Sequence, residues 1–243
     1  MKITDDTTEK CLISHNSPCA KPGKHVNKFA FLAGGSCNAD SLYYENIYMN
    51  KGFNLICGVD EAGRGPLAGP VYAAAVILPK GKLIDGVKDS KKLSPKKRQA
   101  LFSTIISNAV SYAVASVDEN EIDRINILNA THLAMQKAIN FLSIQPDMVL
   151  IDGNSAPKLD IPCQTIVKGD DLSLSISCAS ILAKVSRDDF MVKMAEKYPQ
   201  YLFEEHKGYG TKAHIEAIKK YGPCKIHRKS FLKKIIGVMP QNS

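Results

Sequence analysis

The stretch LICGVDEAGRGPLAGPVYAAAVIL, which spans Leu55–Leu78, decides the fold of this chain. Its first apolar run, Leu55–Val59, has the length and composition of a buried central strand. Asp60 and Glu61 follow directly, so two carboxylates are predicted at the end of that strand. Because side chains alternate between the faces of a strand, two consecutive acids share one cation only where the strand ends or bulges. The glycines of the following turn are predicted to supply that break.

Strand and helix patterns alternate along the rest of the chain. Four further strands are predicted: Val71–Leu78, Tyr112–Val117, Met148–Asp152 and Cys163–Val167. Three helices are predicted. The first starts at Pro95, the second presents apolar residues on one face from Thr131 to Leu142, and the third runs from Ser173 to Lys197. This alternation predicts an α/β fold with a five-stranded mixed sheet flanked by helices and followed by a C-terminal helical lobe.

Three regions are predicted from composition. Residues 1–48 lack sustained periodicity and are interpreted as a poorly ordered extension, residues 49–190 as the core, and residues 191–243 as a basic helical region. Met49 precedes the first convincing strand, so we hypothesise that translation starts there. An intact mass from the native source that contains residues 1–48 would exclude this start.

Charge and cysteine content narrow the classes of function. With 32 basic and 24 acidic residues the chain carries +8, and +7 of this lies from Lys184 onward. Such a balance favours a polyanionic partner, although a solvated helix surface gives the same charge. The seven cysteines form no CxxC pair, which argues against a disulfide framework and a zinc cluster. We therefore predict a reduced, cytoplasmic protein without a membrane span.

Acids at predicted strand ends mark the candidate chemistry. Asp152 ends the fourth strand and Asp170 follows the fifth, so four carboxylates from three segments are expected to meet at one edge of the sheet. Their mutual repulsion would be relieved by hard divalent cations with oxygen ligands, Mg²⁺ or Mn²⁺. Two such ions activate water and stabilise a leaving phosphodiester oxygen. The alternative is that each acid is an ordinary cap or turn residue.

Two other motifs have competing interpretations. GRGPLAG contains the glycine spacing of a nucleotide-binding loop, but Pro66 and a strand follow where such a loop needs a helix. His206, His214 and His227 have no metal-ligand spacing, so we interpret them as surface or capping residues and expect no zinc.

Six motifs in order resemble the ribonuclease HII (type 2 ribonuclease H) family over roughly residues 53–231. They are VDEAGRGPLAGPV, DSKKLS, VLIDGN, VKGD, SILAKVSRD and HKGYGT. The resemblance implies a ribonuclease H-like fold and an endonuclease, EC 3.1.26.4, that cuts the RNA strand of RNA/DNA hybrids. It also implies nicking 5′ to a single ribonucleotide embedded in duplex DNA, by in-line attack of water, with 3′-OH and 5′-phosphate products. A monomer that serves ribonucleotide excision repair is the expected setting.

The resemblance also implies roles for individual residues. Asp60, Glu61, Asp152 and Asp170 fall on the family's catalytic metal-binding acids, whereas the adjacent Asp171 receives no role. The implied substrate-binding residues are the 2′-hydroxyl-reading turn, three phosphate-contacting lysines and a tyrosine that stacks on the deoxyribose 3′ of the ribonucleotide. These residues are Gly63, Arg64, Gly65, Lys91, Lys92, Lys184 and Tyr209.

Two rival classes share parts of this pattern. Another nuclease or strand-transfer enzyme of the ribonuclease H-like superfold would share the acids but not the GRG turn with Tyr209. A non-catalytic nucleic-acid-binding protein would retain the basic surface and show no EDTA-reversible nicking.

Overall fold

The computed structural model describes residues 40–87 and 93–236, which contain one five-stranded sheet. The strands are β1 (Ile56–Ala62), β2 (Val71–Ile77), β3 (Ser111–Val117), β4 (Met148–Asp152) and β5 (Cys163–Ile166). They lie in the order β3-β2-β1-β4-β5, with β2 antiparallel to both of its neighbours and β4 parallel to both of its own. The predicted mixed sheet of five strands is confirmed.

Helices cover both faces of this sheet. Within the described residues they are α1 (Tyr43–Asn50), α2 (Pro95–Asn108), α3 (Glu119–Asn140), α4 (Leu174–Lys197), α5 (Phe203–His206), α6 (Lys212–Tyr221) and α7 (Lys229–Ile236). α3, which is interrupted at Asn126, packs on one face through Ala130, Ala134 and Ala138. α4 and α2 pack on the other face. The small residues of β2 let the helices on both faces pack closely against the sheet.

β1 is longer than predicted. It pairs with β2 in unbroken register through Glu61 and Ala62, so the two acids lie inside the strand and not at its mouth. Its pairing with β4 ends earlier, at Val59 opposite Ile151. The predicted break at the glycines is confirmed, since β1 ends at Ala62 and Gly63 follows with φ +98°. The acids still pair with β2, whereas on the side that faces β4 the pairing has already ended before them.

A helix precedes the sheet where disorder was predicted. Residues 1–39 lie outside the described residues, but residues 40–48 are helical, so the predicted disorder is wrong for them. Glu45 of α1 is buried and its Oε1 accepts hydrogen bonds from the Ser173 hydroxyl (2.7 Å), the Ser175 N–H (2.9 Å) and the Ser175 hydroxyl (2.6 Å). Met49 lies within this helix, so a chain beginning there would lack Glu45.

Glu45 caps the first turn of α4 from outside that helix, and its removal should be costly. We expect Glu45→Ala to lower the free energy of unfolding by about 2–3 kcal/mol, because several hydrogen bonds to a buried carboxylate are lost. Urea denaturation followed by circular dichroism measures this. Asn46→Ala, on the exposed side of the same helix, is the matched control and should change stability by less than about 0.5 kcal/mol. Equal losses in the two variants would contradict a capping role for Glu45.

The C-terminal elements pack on the far end of α4. Met191 of α4 joins Tyr201, Phe203, Ile218 and Leu232 in a separate apolar cluster. The boundary predicted between residues 190 and 191 therefore falls inside one continuous helix. No helix in the described part of the chain is long and apolar enough to cross a membrane.

Candidate active site

Asp60 and Asp152 lie where β1 and β4 separate. Each is the residue directly after the last paired position, Val59 opposite Ile151, and neighbouring strands lie about 4.8 Å apart. Asp60 is 7% exposed. Burial raises its pKa well above the ordinary value, and the charges of Glu61 and Asp152 raise it further. The fold thus brings carboxylates from two distant segments into mutual electrostatic reach.

Glu61 differs from Asp60 because it has a basic neighbour. Burial raises the pKa of Glu61, and the charge of Asp152 acts in the same direction. The Arg64 guanidinium, 3.4 Å from Oε1, opposes both effects. Since Arg64 is half exposed, this pair is open to solvent and holds Glu61 only loosely.

Asp170 is carried to the same strand end by a short 3-10 turn, Gly169–Asp171. The Gly169 N–H donates to Asp152 Oδ1 at 2.7 Å, and the Ser177 hydroxyl of α4 donates to the Asp170 carbonyl. Asp170 is 7% exposed, whereas Asp171 is exposed on the surface. Burial beside Asp152 therefore favours Asp170 over its neighbour as the fourth acid.

The donor chemistry of these acids fits a hard divalent cation. Among residues 40–87 and 93–236, no three His, Cys, Asp or Glu side chains are already spaced to hold a metal ion. The four acids nevertheless offer only oxygen donors, and the pKa of Asp60 is raised partly by repulsion from Glu61 and Asp152. A cation between them would relieve that repulsion.

The GRG turn lies beside the acids, and both of its glycines face other side chains. Gly63 adopts φ +98°, and a Cβ there would come within 2.1 Å of Arg187 Nε. Gly65 faces Tyr209, since a Cβ on it would lie 3.7 Å from Tyr209 Cε1. The turn and the tyrosine predicted to read the substrate are therefore neighbours in space, although about 145 residues separate them along the chain.

An open cleft of about 430 Å³ lies between Glu61, the GRG turn, Tyr209 and α4. Six residues predicted from the sequence line it: Glu61, Gly63, Arg64, Gly65, Lys184 and Tyr209. Lys184 forms an ion pair with Asp188 (2.7 Å) on the same helix, so part of its charge is already neutralised. Lys91 and Lys92 lie outside the described residues.

Sequence reasoning missed several residues around the cleft. Arg98 and Arg187 also line it, and the motif SILAKVSRD already carried the second of them. Of the two alternatives for the histidines, surface or capping, the surface one is wrong for His214 (0% exposed) and His227 (2% exposed), whose rings hydrogen-bond to nearby backbone groups. Both are buried because α6 and the segment before α7 fold over Phe203, a contact that no local pattern reveals.

Comparisons with known proteins agree with this geometry. The family model for Ribonuclease HII matches residues 57–234. The Ribonuclease HII of Caldicellulosiruptor bescii is 58% identical over 201 residues, which cover 82% of this chain and 98% of that protein. The crystal structure of the ribonuclease H2 from Pyrococcus horikoshii OT3 superposes with a TM-score of 0.64 at 30% identity, over 77% of this chain and all of that one.

A more distant structure, Bst-RNase HIII in complex with Mn²⁺, shares the fold alone, with a TM-score of 0.51 and 18% identity over 69% of this chain and 63% of that one. The family match covers both the strand with the paired acids and the Tyr209 loop. On these grounds this chain belongs to the ribonuclease HII family and is a ribonuclease H, an enzyme that cleaves the RNA strand of RNA/DNA hybrids.

Proposed function

We propose that this ribonuclease H also nicks duplex DNA 5′ to a single embedded ribonucleotide and leaves 3′-OH and 5′-phosphate ends. The observation that carries the proposal is the closeness of the GRG turn to Tyr209: a Cβ on Gly65 would lie 3.7 Å from the tyrosine ring, and both line the cleft together with Glu61. The glycines of this turn let the backbone approach a 2′-hydroxyl closely, and that hydroxyl is what separates RNA from DNA. An exposed aromatic ring next to it suits the sugar on the DNA side of the junction.

Asp60, Glu61, Asp152 and Asp170 would hold the two divalent ions, Mg²⁺ or Mn²⁺, that we propose as cofactors. When bound, such ions lower the pKa of water and stabilise the charge on the leaving oxygen. The protein's own part is to bring the carboxylates together near the strand ends and to place the substrate phosphate above them. The solved structure of Bst-RNase HIII in complex with Mn²⁺ is consistent with a divalent ion on this fold.

Positive side chains around the cleft suit the phosphates that flank the cut. Arg64, Lys184 and Arg98 line it, and the chain carries a net charge of +8. Contacts of this kind position a duplex without reading its sequence, so selectivity rests on the turn and Tyr209. Lys91 and Lys92 remain predicted phosphate contacts, and a cytoplasmic monomer engaged in ribonucleotide excision remains the predicted setting.

The proposed activity is tested on a labelled DNA duplex that contains one ribonucleotide. Incubation with Mg²⁺ or Mn²⁺ should give a single cut 5′ to the ribonucleotide, EDTA should stop it, and renewed metal should restore it. An identical duplex made only of DNA is the control and should stay intact. Cutting of the all-DNA duplex, or cutting that EDTA leaves unchanged, would overturn the proposal.

Tyr209→Ala should impair this activity selectively. We expect the rate at a single ribonucleotide to fall about 10- to 100-fold, because a ring stacked on the substrate contributes on the order of 1–3 kcal/mol. Thermal melting should change little, since Tyr209 is half exposed. Tyr112→Ala, an equally exposed tyrosine on the edge strand β3, is the matched control. A loss of activity that only parallels a loss of melting temperature would count against a substrate contact.

A further inference from the structure

One segment, Cys224–Arg228, lies between the two elements proposed to read the substrate. Its backbone forms a bridge to the loop that follows the GRG turn: the Gly69 N–H donates to Ile226 O (2.8 Å) and the Arg228 N–H donates to Leu67 O (2.9 Å). Two consecutive buried side chains of this segment reach different neighbours: His227 bonds to His214, and Arg228 bonds to Gly63. The backbone thus places both side chains at one fixed position beside the turn.

Arg228 stabilises the GRG turn through hydrogen bonds to its backbone carbonyls. Its side chain is 0% exposed, and its guanidinium donates to the carbonyls of Gly63 (2.6 Å), Arg64 (3.0 Å) and Gly69 (2.6 and 2.8 Å). The planar guanidinium fork makes four N–H···O contacts to three carbonyls here, whereas a lysine ammonium has only three donors on one nitrogen. Arg228 therefore fixes the backbone conformation that presents this turn to the cleft.

His227 connects to the Tyr209 loop through a second histidine. The Cys224 N–H donates to His227 Nδ1 (2.9 Å), so Nδ1 is an acceptor and the ring proton lies on Nε2. That proton faces His214 Nε2 at 3.0 Å, which makes this nitrogen the acceptor. The proton of His214 therefore lies on Nδ1 and is donated to Tyr209 O at 2.9 Å. The hydrogen bonds thus run in one direction, from Cys224 to Tyr209.

This series of hydrogen bonds requires that the rings of His214 and His227 both be neutral. Burial lowers the pKa of His214 and of His227 to about 4. The charge of His206, which stacks on His214 at 4.4 Å, lowers both pKa values further, and the charge of His214 lowers the pKa of His227. The rings of Tyr201 and Phe203 enclose the pair on the remaining sides. At neutral pH each ring thus carries one proton, so each ring nitrogen is either a hydrogen-bond donor or an acceptor.

We propose that His227 and Arg228 are positioning residues that set the spacing between the Gly63–Gly65 turn and Tyr209, and thereby the preference for a single ribonucleotide. Arg228 acts on the turn, whereas His227 acts on Tyr209 through His214. The inference rests on the proposed function, because it assigns the selectivity of that same site. It adds two residues that lie under the substrate-reading surface without touching the substrate.

A double-mutant cycle tests the His227 branch. His227→Phe keeps an aromatic ring in place but removes both nitrogens, so it should lower kcat at a single ribonucleotide about tenfold and affect a continuous RNA/DNA hybrid less. In a Tyr209→Ala background the same change should cost almost nothing further, because its route to the substrate is already gone. His214→Asn, whose amide can still donate to Tyr209 O, should retain more activity than His214→Phe. Lys225→Gln, exposed in the same segment, is the control.

A second measurement does not depend on activity. Nitrogen-15 NMR of the histidine rings in the full chain should find His227 protonated at Nε2 and His214 at Nδ1. The opposite tautomers would overturn the inference even if His227→Phe failed to fold. If the wild type nicks at a single ribonucleotide but the losses in the double mutant are fully additive, the inference is overturned and the proposed function stands. A wild-type enzyme that cuts hybrids and ignores single ribonucleotides would overturn the proposed function together with it.

Discussion

Asp60→Asn should reduce turnover by about a thousandfold or more while binding of an RNA/DNA hybrid survives. Asp60 is the most deeply buried acid of β1, and an amide offers one oxygen without charge, so a divalent ion would be held poorly. Burial and the charges of Glu61 and Asp152 raise the pKa of Asp60, so its ionised form costs stability at neutral pH. The neutral variant should therefore melt at the same temperature as the wild type, or higher, in metal-free buffer.

Single-turnover cleavage and filter binding on the same hybrid separate these effects. Asp160→Asn, an exposed aspartate away from the strand ends, is the matched control and should keep wild-type rates. An Asp60→Asn enzyme that turns over normally would refute the proposed metal ligands. A variant that loses binding together with turnover would instead mean that Asp60 supports the substrate surface.

Gly58→Ala should lower the free energy of unfolding by about 3 kcal/mol or more. Gly58 lies in β1 directly beneath the first turn of α4, and a Cβ there would come within 2.1 Å of Ser175 C and 2.2 Å of Ile176 N. These are backbone atoms of a helix, so no side chain can move aside and the whole helix end must shift. That end follows Asp170 and receives the cap from Glu45, so activity should fall with stability.

Urea denaturation and hybrid cleavage measure both consequences. Gly52→Ala is the matched control: Gly52 has φ +95° but nothing within 4 Å of its missing Cβ, so it should lose only about 1 kcal/mol to backbone strain. Equal losses at the two glycines would show that α4 does not pack on β1 as closely as described.

The elements that were predicted correctly are those whose cause is local. The strands Val71–Ile77 and Met148–Asp152 follow from short apolar runs, and α4 begins directly after Ser173, where the helix was predicted to start. The proximity of Asp60 to Asp152 was also predictable, since parallel strands place their carboxyl ends at one edge. For these strands and this helix, neighbours within a few residues determine the conformation.

The elements that were missed depend on distant partners. α1 has a weak apolar pattern and is held by Glu45 at the cap of a helix about 130 residues away. Glu61 lies inside β1 because β2 extends the ladder beyond β4. His214 and His227 are buried by a cluster that forms only when α6 meets the segment before α7.

By itself, the sequence determined the alternation of strands and helices, the acids near the strand ends and the family to which the chain belongs, because these depend on short spacing and residue type. Only the tertiary structure decided which acid of the Asp170–Asp171 pair is buried, where β1 ends, and that Arg228 bonds to the GRG turn while His227 bonds to His214. The physical reason is that burial, hydrogen-bond direction and the tautomer of a histidine are properties of surroundings, and these surroundings come from segments far apart in the chain.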